Sequence, residues 1–184
     1  DGFKLSILCG GIVFQSTGRT LSQNAWNHLA LTKHGNEFVI YLNGSPENAY
    51  VLGNGYPSGD FMVGGNALLG SEYFKGYIDE VRVWNSVRTG TEIFKNAGAA
   101  LTGSETDLVA LYHFNEGRDS VNVTDATANH YDLTTNGSPD FALSTASAKL
   151  LRQQVSVVYT GGTSATIKWL ADPHNNVDNY VIYR

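Results

Sequence analysis

Two carboxylates stand side by side at Asp79 and Glu80, inside the apolar, β-branched run Gly76-Tyr77-Ile78-Asp79-Glu80-Val81-Arg82-Val83-Trp84-Asn85. Paired acids suggest glycoside hydrolysis, in which a retaining enzyme holds two carboxyls about 5 Å apart across one cleft and an inverting enzyme holds them further apart. On a strand such pairs fall at i and i+2 or i+4, because successive side chains point to opposite faces. Asp79 and Glu80 therefore face away from each other, and Glu116 and Asp119 fall in a turn. Glu80 shares a face with Arg82 and reads as its ion-pair partner. Asp79 falls in line with Tyr77, Val81 and Val83. A carboxylate on an apolar face needs a cation or several hydrogen-bond donors, so either Asp79 has such a partner, with backbone N–H groups sufficing, or a bulge turns it outward.

Other reactive residue types form no catalytic pattern. Cys9 and the five histidines, His28, His34, His113, His130 and His174, have no spacing that aligns a thiolate with a base, and no zinc-ligand spacing occurs. Cys9 reads as a small core residue. The Asp125, Thr127, Asn129 spacing lacks the glycine of an EF-hand loop. Tyr50, Asn54, Tyr56 and Tyr73 flank glycine-rich segments and suit the rim of a sugar site, where rings stack on pyranose faces. Sheet-edge packing explains the same tyrosines. Asn43, Asn122 and Asn136 head Asn-X-Ser/Thr triplets, and Asn43 and Asn136 already serve as turn residues before Gly.

Composition narrows the classes. The 184 residues are 42% hydrophobic and 16% charged, with 20 glycines, which favours short strands and tight turns in an all-β chain. One domain and part of another fit that length. The net charge of -5 and the absence of a basic cluster argue against nucleic acid as a partner. A single cysteine excludes an internal disulfide and mildly favours a bacterial exterior. No apolar run of membrane-spanning length occurs, so membrane insertion is not expected, and no signal-peptide pattern opens the sequence.

The elements that must position these residues follow from periodicity. Trp26 to Lys33 alternates, with Leu29 and Leu31 on one side and Trp26, His28 and Ala30 on the other. His34-Gly35-Asn36 turns the chain into a return strand, Phe38 to Leu42, and Asn43-Gly44 makes a second tight turn. Residues 45–60 read as an irregular loop, Phe61 to Gly64 as a short strand, and the Asp79 run as a longer one. Thr89 with Glu92 forms a capping box that starts the one predicted helix, whose Ile93 and Phe94 dock on the sheet. Leu108 to Phe114 reads as a strand with Leu108, Ala110, Tyr112 and Phe114 on one face. Residues 120–140 are rich in turn formers, and 142–152 read as a linker.

Gly-X-Ile-Asp-Glu-Val-Arg-Val-Trp-Asn at 76–85 resembles the signature of bacterial laminin-G-like jelly rolls of the concanavalin A type. Trp26, His28, Ala30, Thr32, Gly35, Tyr41 and Asn43-Gly44 resemble that family's hairpin. Arg88-Thr89 with Glu92-Ile93, Leu101-Thr102-Gly103, and Leu108 to Gly117 resemble its closing segments in order. The resemblance spans residues 1–148, and the family's Ser-Gly-Asn-Gly loop is replaced by Thr127-Ala128-Asn129-His130. It implies an all-β jelly-roll sandwich whose opening strands are missing, so the chain reads as a portion of a longer protein, and it makes His28 a packed structural residue. It also implies a calcium shared by Asp79 with Asp119 or Asp125 and Asn129. Beyond the linker, Val155 and Val157, Gly161-Gly162, Ala165 to Leu170 around Trp169, Asp172-Pro173 and Tyr180-Val181-Ile182-Tyr183 resemble the opening of a fibronectin type III domain over 149–184, with only about three of its ~7 strands present. These resemblances imply a non-catalytic recognition or adhesion module of an extracellular, secreted or cell-surface protein that binds a glycan or a surface protein. The hydrolase motif Glu-X-Asp-X-X-Glu of the concanavalin A fold is absent. A passive spacer and an accessory region of a secreted polysaccharide-degrading enzyme are the rival roles.

Overall fold

The computed structural model describes residues 20–51, 61–65, 73–117, 120–136 and 141, with the backbone of four further strands at 6–9, 12–15, 156–159 and 165–168. Among the described residues the chain forms eleven strands and one helix, and every ladder is antiparallel. It divides into two compact units, Asp1–Leu150 and Leu151–Arg184.

In the first unit, β1 (Ser6–Cys9) and β2 (Ile12–Gln15) form a hairpin. β3 (Leu29–His34), β4 (Glu37–Leu42) and β5 (Ser45–Val51) form a three-stranded sheet with β4 in the middle. Phe38, Ile40 and Leu42 alternate along β4 and are buried, so the period-two pattern points one row of the central strand inward. On β3, Ala30 and Thr32 are half-buried while Leu29 and Leu31 are exposed.

β5 begins where an irregular loop was expected. Asn43 and Gly44 have φ of 51° and 78°, the two positive angles of a type I′ turn, so the chain leaves the turn already paired, Leu42 opposite Ser45. Pro46 is tolerated because β5 is an edge strand, and a register shift between the Val39 and Tyr41 pairs absorbs the extra residue. Gly44 also lets another element approach: a Cβ there would lie 2.7 Å from Phe94 Cδ2 and 2.9 Å from Phe94 Cα.

β6 (Val81–Trp84) pairs with β7 (Leu108–Tyr112), matching Val81 with Tyr112 and Val83 with Ala110. These four side chains share a face. Ala110, Tyr112 and Val123 form a buried cluster against which Val81, Val83, Phe114, Leu133 and Phe141 pack. β8 (Asn122–Val123) and β9 (Leu133–Thr134) close this side.

Four expectations need correction. The Asp79 strand is shorter than predicted, because Glu80 adopts φ 54° and breaks the extended backbone before Val81. Tyr77 is therefore exposed, and the predicted row of Tyr77, Asp79, Val81 and Val83 does not form. Residues 61–64 form no strand; Phe61 and Met62 are exposed and Gly64 has φ 80°. β7 ends at Tyr112, since Phe114 has φ 53°, although Phe114 still reaches the core.

The helix α1 (Gly90–Asn96) starts at the predicted capping box. Glu92 N–H donates to Thr89 Oγ1 at 3.3 Å, and Thr89 N–H donates to Glu92 Oε2 at 2.8 Å. Ile93 is buried as expected; Phe94 is exposed, its backbone lying over Gly44. In the second unit β10 (Ser156–Tyr159) pairs with β11 (Ala165–Lys168). Trp169 and the Tyr180 to Tyr183 run lie outside the described residues. Among the described residues no helix is long and apolar enough to cross a membrane.

Candidate ligand cleft

A cleft of about 840 Å³ opens in the first unit. One wall is the chain entering β3, with Trp26, His28, Ala30 and Thr32. The opposite wall is the segment from Phe74 to Glu80 with Arg82 and Trp84 of β6, and Arg88, Glu92, Ile93 and Asn96 line it from the helix side. This volume lies inside the range of about 300–1,000 Å³ usual for small-ligand sites. Trp26 and Tyr77 bring ring centroids to 6.4 Å at 47°, and Tyr77 and Phe74 are 74% and 61% exposed.

Local folding places each polar group. The φ 54° of Glu80 turns its carboxylate toward Arg82, whose Nη2 donates to Glu80 Oε2 at 2.9 Å. The other oxygen, Oε1, lies 2.5 Å from His113 Nδ1. The Arg82 side chain is only 10% exposed, and it donates from Nη1 to the Asn96 carbonyl at 2.6 Å and from Nη2 to the Ala99 carbonyl at 2.5 Å. Arg82 thus ties β6 to the end of α1, where helix carbonyls lack intrahelical donors. Its Nε is buried without a partner among the described residues.

Arg88 lays its guanidinium over the Trp84 ring, 4.4 Å from the centroid, and pairs with Glu92 at 2.6 Å. Arg88 Nε is also buried and unpartnered. His28 is fixed through its backbone, its N–H donating to Asn43 Oδ1 at 2.8 Å and its carbonyl accepting from Asn43 N–H at 2.7 Å. Burial, and secondarily the Arg82 charge, push its pKa down to about 4, so the ring is neutral at pH 7. His28 Nδ1 is likewise buried without a partner among the described residues.

Of the rim residues expected from sequence, neither Tyr50 nor Tyr73 lines this cleft. Tyr50 sits in β5 opposite Phe38, and its hydroxyl accepts from Asn48 Nδ2 at 2.8 Å. Tyr73 is 68% exposed beside the cleft-lining Phe74, while Asn54 and Tyr56 lie outside the described residues. Asp79 does line the cleft. Trp26, Arg82 and Arg88 were not singled out as ligand contacts. The usable signal was the predicted grouping of Trp26 and His28 on one side of β3, and Arg88 four residues after Trp84.

Two of the expected calcium ligands, Asp125 and Asn129, are engaged within the protein. Asp125, 1% exposed, accepts from Leu111 N–H at 3.0 Å and Thr127 N–H at 2.9 Å on Oδ1, and from Thr127 Oγ1 at 2.8 Å and Tyr131 N–H at 3.0 Å on Oδ2. Asn129 Nδ2 donates to the Val109 carbonyl at 2.8 Å. A cation would have to displace these donors, so Asp125 does not fit a calcium ligand. Asp119 lies outside the described residues, and among those described no three His, Cys, Asp or Glu side chains converge as a metal site. Asp125 is a carboxylate in the core met by backbone N–H groups.

Residues 8–94 match the family described as the concanavalin A-like lectin/glucanases superfamily, which supports a laminin-G-like domain there. No curated protein matches the chain. A crystal structure from Bacteroides ovatus, provisionally described as that of a carbohydrate-binding protein, is similar at 26% identity with a TM-score of 0.58. The similarity covers 74% of this chain and 46% of that one, so the chain spans about half the length of that structure. The fold is all-β and concanavalin A-like.

Proposed function

We propose that this chain is a non-catalytic glycan-binding module of an extracellular protein, and that the cleft between Trp26 and Arg82 holds the sugar. The observation that carries the reading is a cleft of about 840 Å³ in which the exposed rings of Tyr77 and Phe74 stand beside Trp26. Pyranose rings present an apolar face to such rings and a belt of hydroxyls to N–H donors. The similar Bacteroides structure supports the same reading.

The acids favour binding over hydrolysis. Glu80 has both oxygens engaged, by Arg82 and His113, and Glu92 is committed to the helix cap and Arg88. Neither is free to serve in a carboxyl pair facing one glycosidic bond. An extracellular address and attachment to further domains belong to this proposal, as does binding that needs no calcium. Calorimetric titration of the intact chain with oligosaccharides found on a glycan array tests it. Trp26→Ala is expected to weaken binding at least tenfold, about 1.4 kcal/mol, with the fold retained and with chelator making no difference. Absence of any glycan ligand, or equal binding by the variant, contradicts it.

A further inference from the structure

β3 runs along the cleft with one edge unladdered: among the described residues it pairs with β4 alone. The two-residue turn Gly35-Asn36 makes His34 and Glu37 a hydrogen-bonded pair, so bonded pairs recur at every second residue. The bond of 2.7 Å from Asn43 N–H to the His28 carbonyl continues that parity. The N–H and C=O groups of Leu29 and Leu31 therefore point away from β4. No other described strand takes them, and both residues line the cleft.

Their side chains are exposed on the face where burial is expected. Leu29 stands opposite Leu42 and Leu31 opposite Ile40, and directly opposed residues share a face. Ile40 and Leu42 are buried, yet Leu31 and Leu29 beside them are 50% and 45% exposed. A branched aliphatic side chain is a poor platform for a pyranose ring, a task that suits the flat faces of Trp26 and Tyr77 in the same cleft. It matches a methyl group instead. An unladdered strand edge likewise matches an amide, which brings an acceptor and a donor of the same kind. An acetamido substituent supplies all three groups: a methyl for the leucines, and a carbonyl and an N–H for the edge. A plain hexose brings only hydroxyls and gives the two leucines no apolar partner.

Resting on the glycan-binding reading above, we infer that the ligand is built of N-acetylated hexosamines, and that Leu29 and Leu31, side chains and outward backbone groups together, form the acetamido subsite. The test is calorimetry on the full chain with two matched pairs: tetra-N-acetylchitotetraose against cellotetraose, and N-acetylgalactosamine against galactose. In at least one pair the N-acetylated member is expected to bind about ten times tighter or more, from one buried methyl and one added hydrogen bond. In Leu31→Ala that ratio is expected to fall about threefold or more with cooperative melting retained. Leu29→Ala gives the same reading should the first variant fail to fold. An advantage under tenfold in both pairs, or a ratio that a folded variant leaves unchanged, overturns the inference, and the glycan-binding reading stands if any glycan binds. Binding of a blocked, extended Thr-Val hexapeptide while no glycan binds marks the edge as the seat of a β-strand and overturns both. Absence of all binding also overturns both.

Discussion

Asp125 carries a negative charge at almost zero exposure because four donors reach its two oxygens from β7 and from its own loop. Burial alone would raise its pKa; the backbone N–H groups of Leu111, Thr127 and Tyr131 and the Thr127 hydroxyl outweigh burial and lower it. With the folded pKa below the unfolded value, the ionised group stabilises the fold at neutral pH, and that contribution fades as pH falls through the folded pKa. Asp125→Asn turns one acceptor oxygen into a donor facing donors, and is expected to cost about 2–3 kcal/mol. Urea denaturation against pH checks this: the variant should also lose part of the wild type's acid-limb slope. His28 works in the same pH direction. Its folded pKa of about 4 lies below the unfolded 6.5, so stability is full above pH 6.5 and declines between there and about 4. An NMR titration of His28 that finds a midpoint near 6.5 would contradict the burial assigned to it. Gly103 is the closest backbone approach on this side: with φ 90°, a Cβ there would meet the Ala126 carbonyl oxygen at 2.2 Å. Gly103→Ala is expected to cost about 2–4 kcal/mol in thermal or urea unfolding, combining positive-φ strain with overpacking.

At the scale of elements, sequence was most informative where local chemistry decides the outcome. Asn43-Gly44, Thr89 with Glu92, and the return strand Phe38 to Leu42 are each set within a few residues, and each formed as expected. Thr89→Ala removes the cap of α1 and is expected to lower stability by about 1 kcal/mol; because α1 lines the cleft, hydrogen exchange at Ile93 to Asn96 should quicken as well. Periodicity misled where a single backbone angle interrupts it. Positive φ at Glu80 delays the start of β6 and at Phe114 ends β7 early, relative to their apolar patterns, and a side-chain pattern carries no trace of that. The carboxylate predicted to be trapped in the core exists at Asp125 and not at Asp79. The buried carboxylate at Asp125 was not foreseen, because the donors that settle it come from Leu111 and Tyr131, 14 residues before it and 6 after.

For the whole molecule, the resemblance carried the all-β, concanavalin A-like architecture, since ordered motifs spread over many strands survive local errors. The cleft was less legible. Its wall joins Trp26 to Arg82 and Arg88, residues 56 or more positions apart that no spacing rule connects. The predicted tyrosine rim was read from glycine-rich composition; of its residues, Tyr50 lies in β5, and Asn54 and Tyr56 lie outside the described residues. The central claim is that sugar occupies the cleft beside Trp26. The chain's three tryptophans, Trp26, Trp84 and Trp169, give three indole N–H resonances to follow as a neutral oligosaccharide is titrated into the intact chain. The account predicts that the Trp26 resonance shifts and saturates with the calorimetric affinity. Saturable binding that leaves Trp26 unperturbed would contradict it.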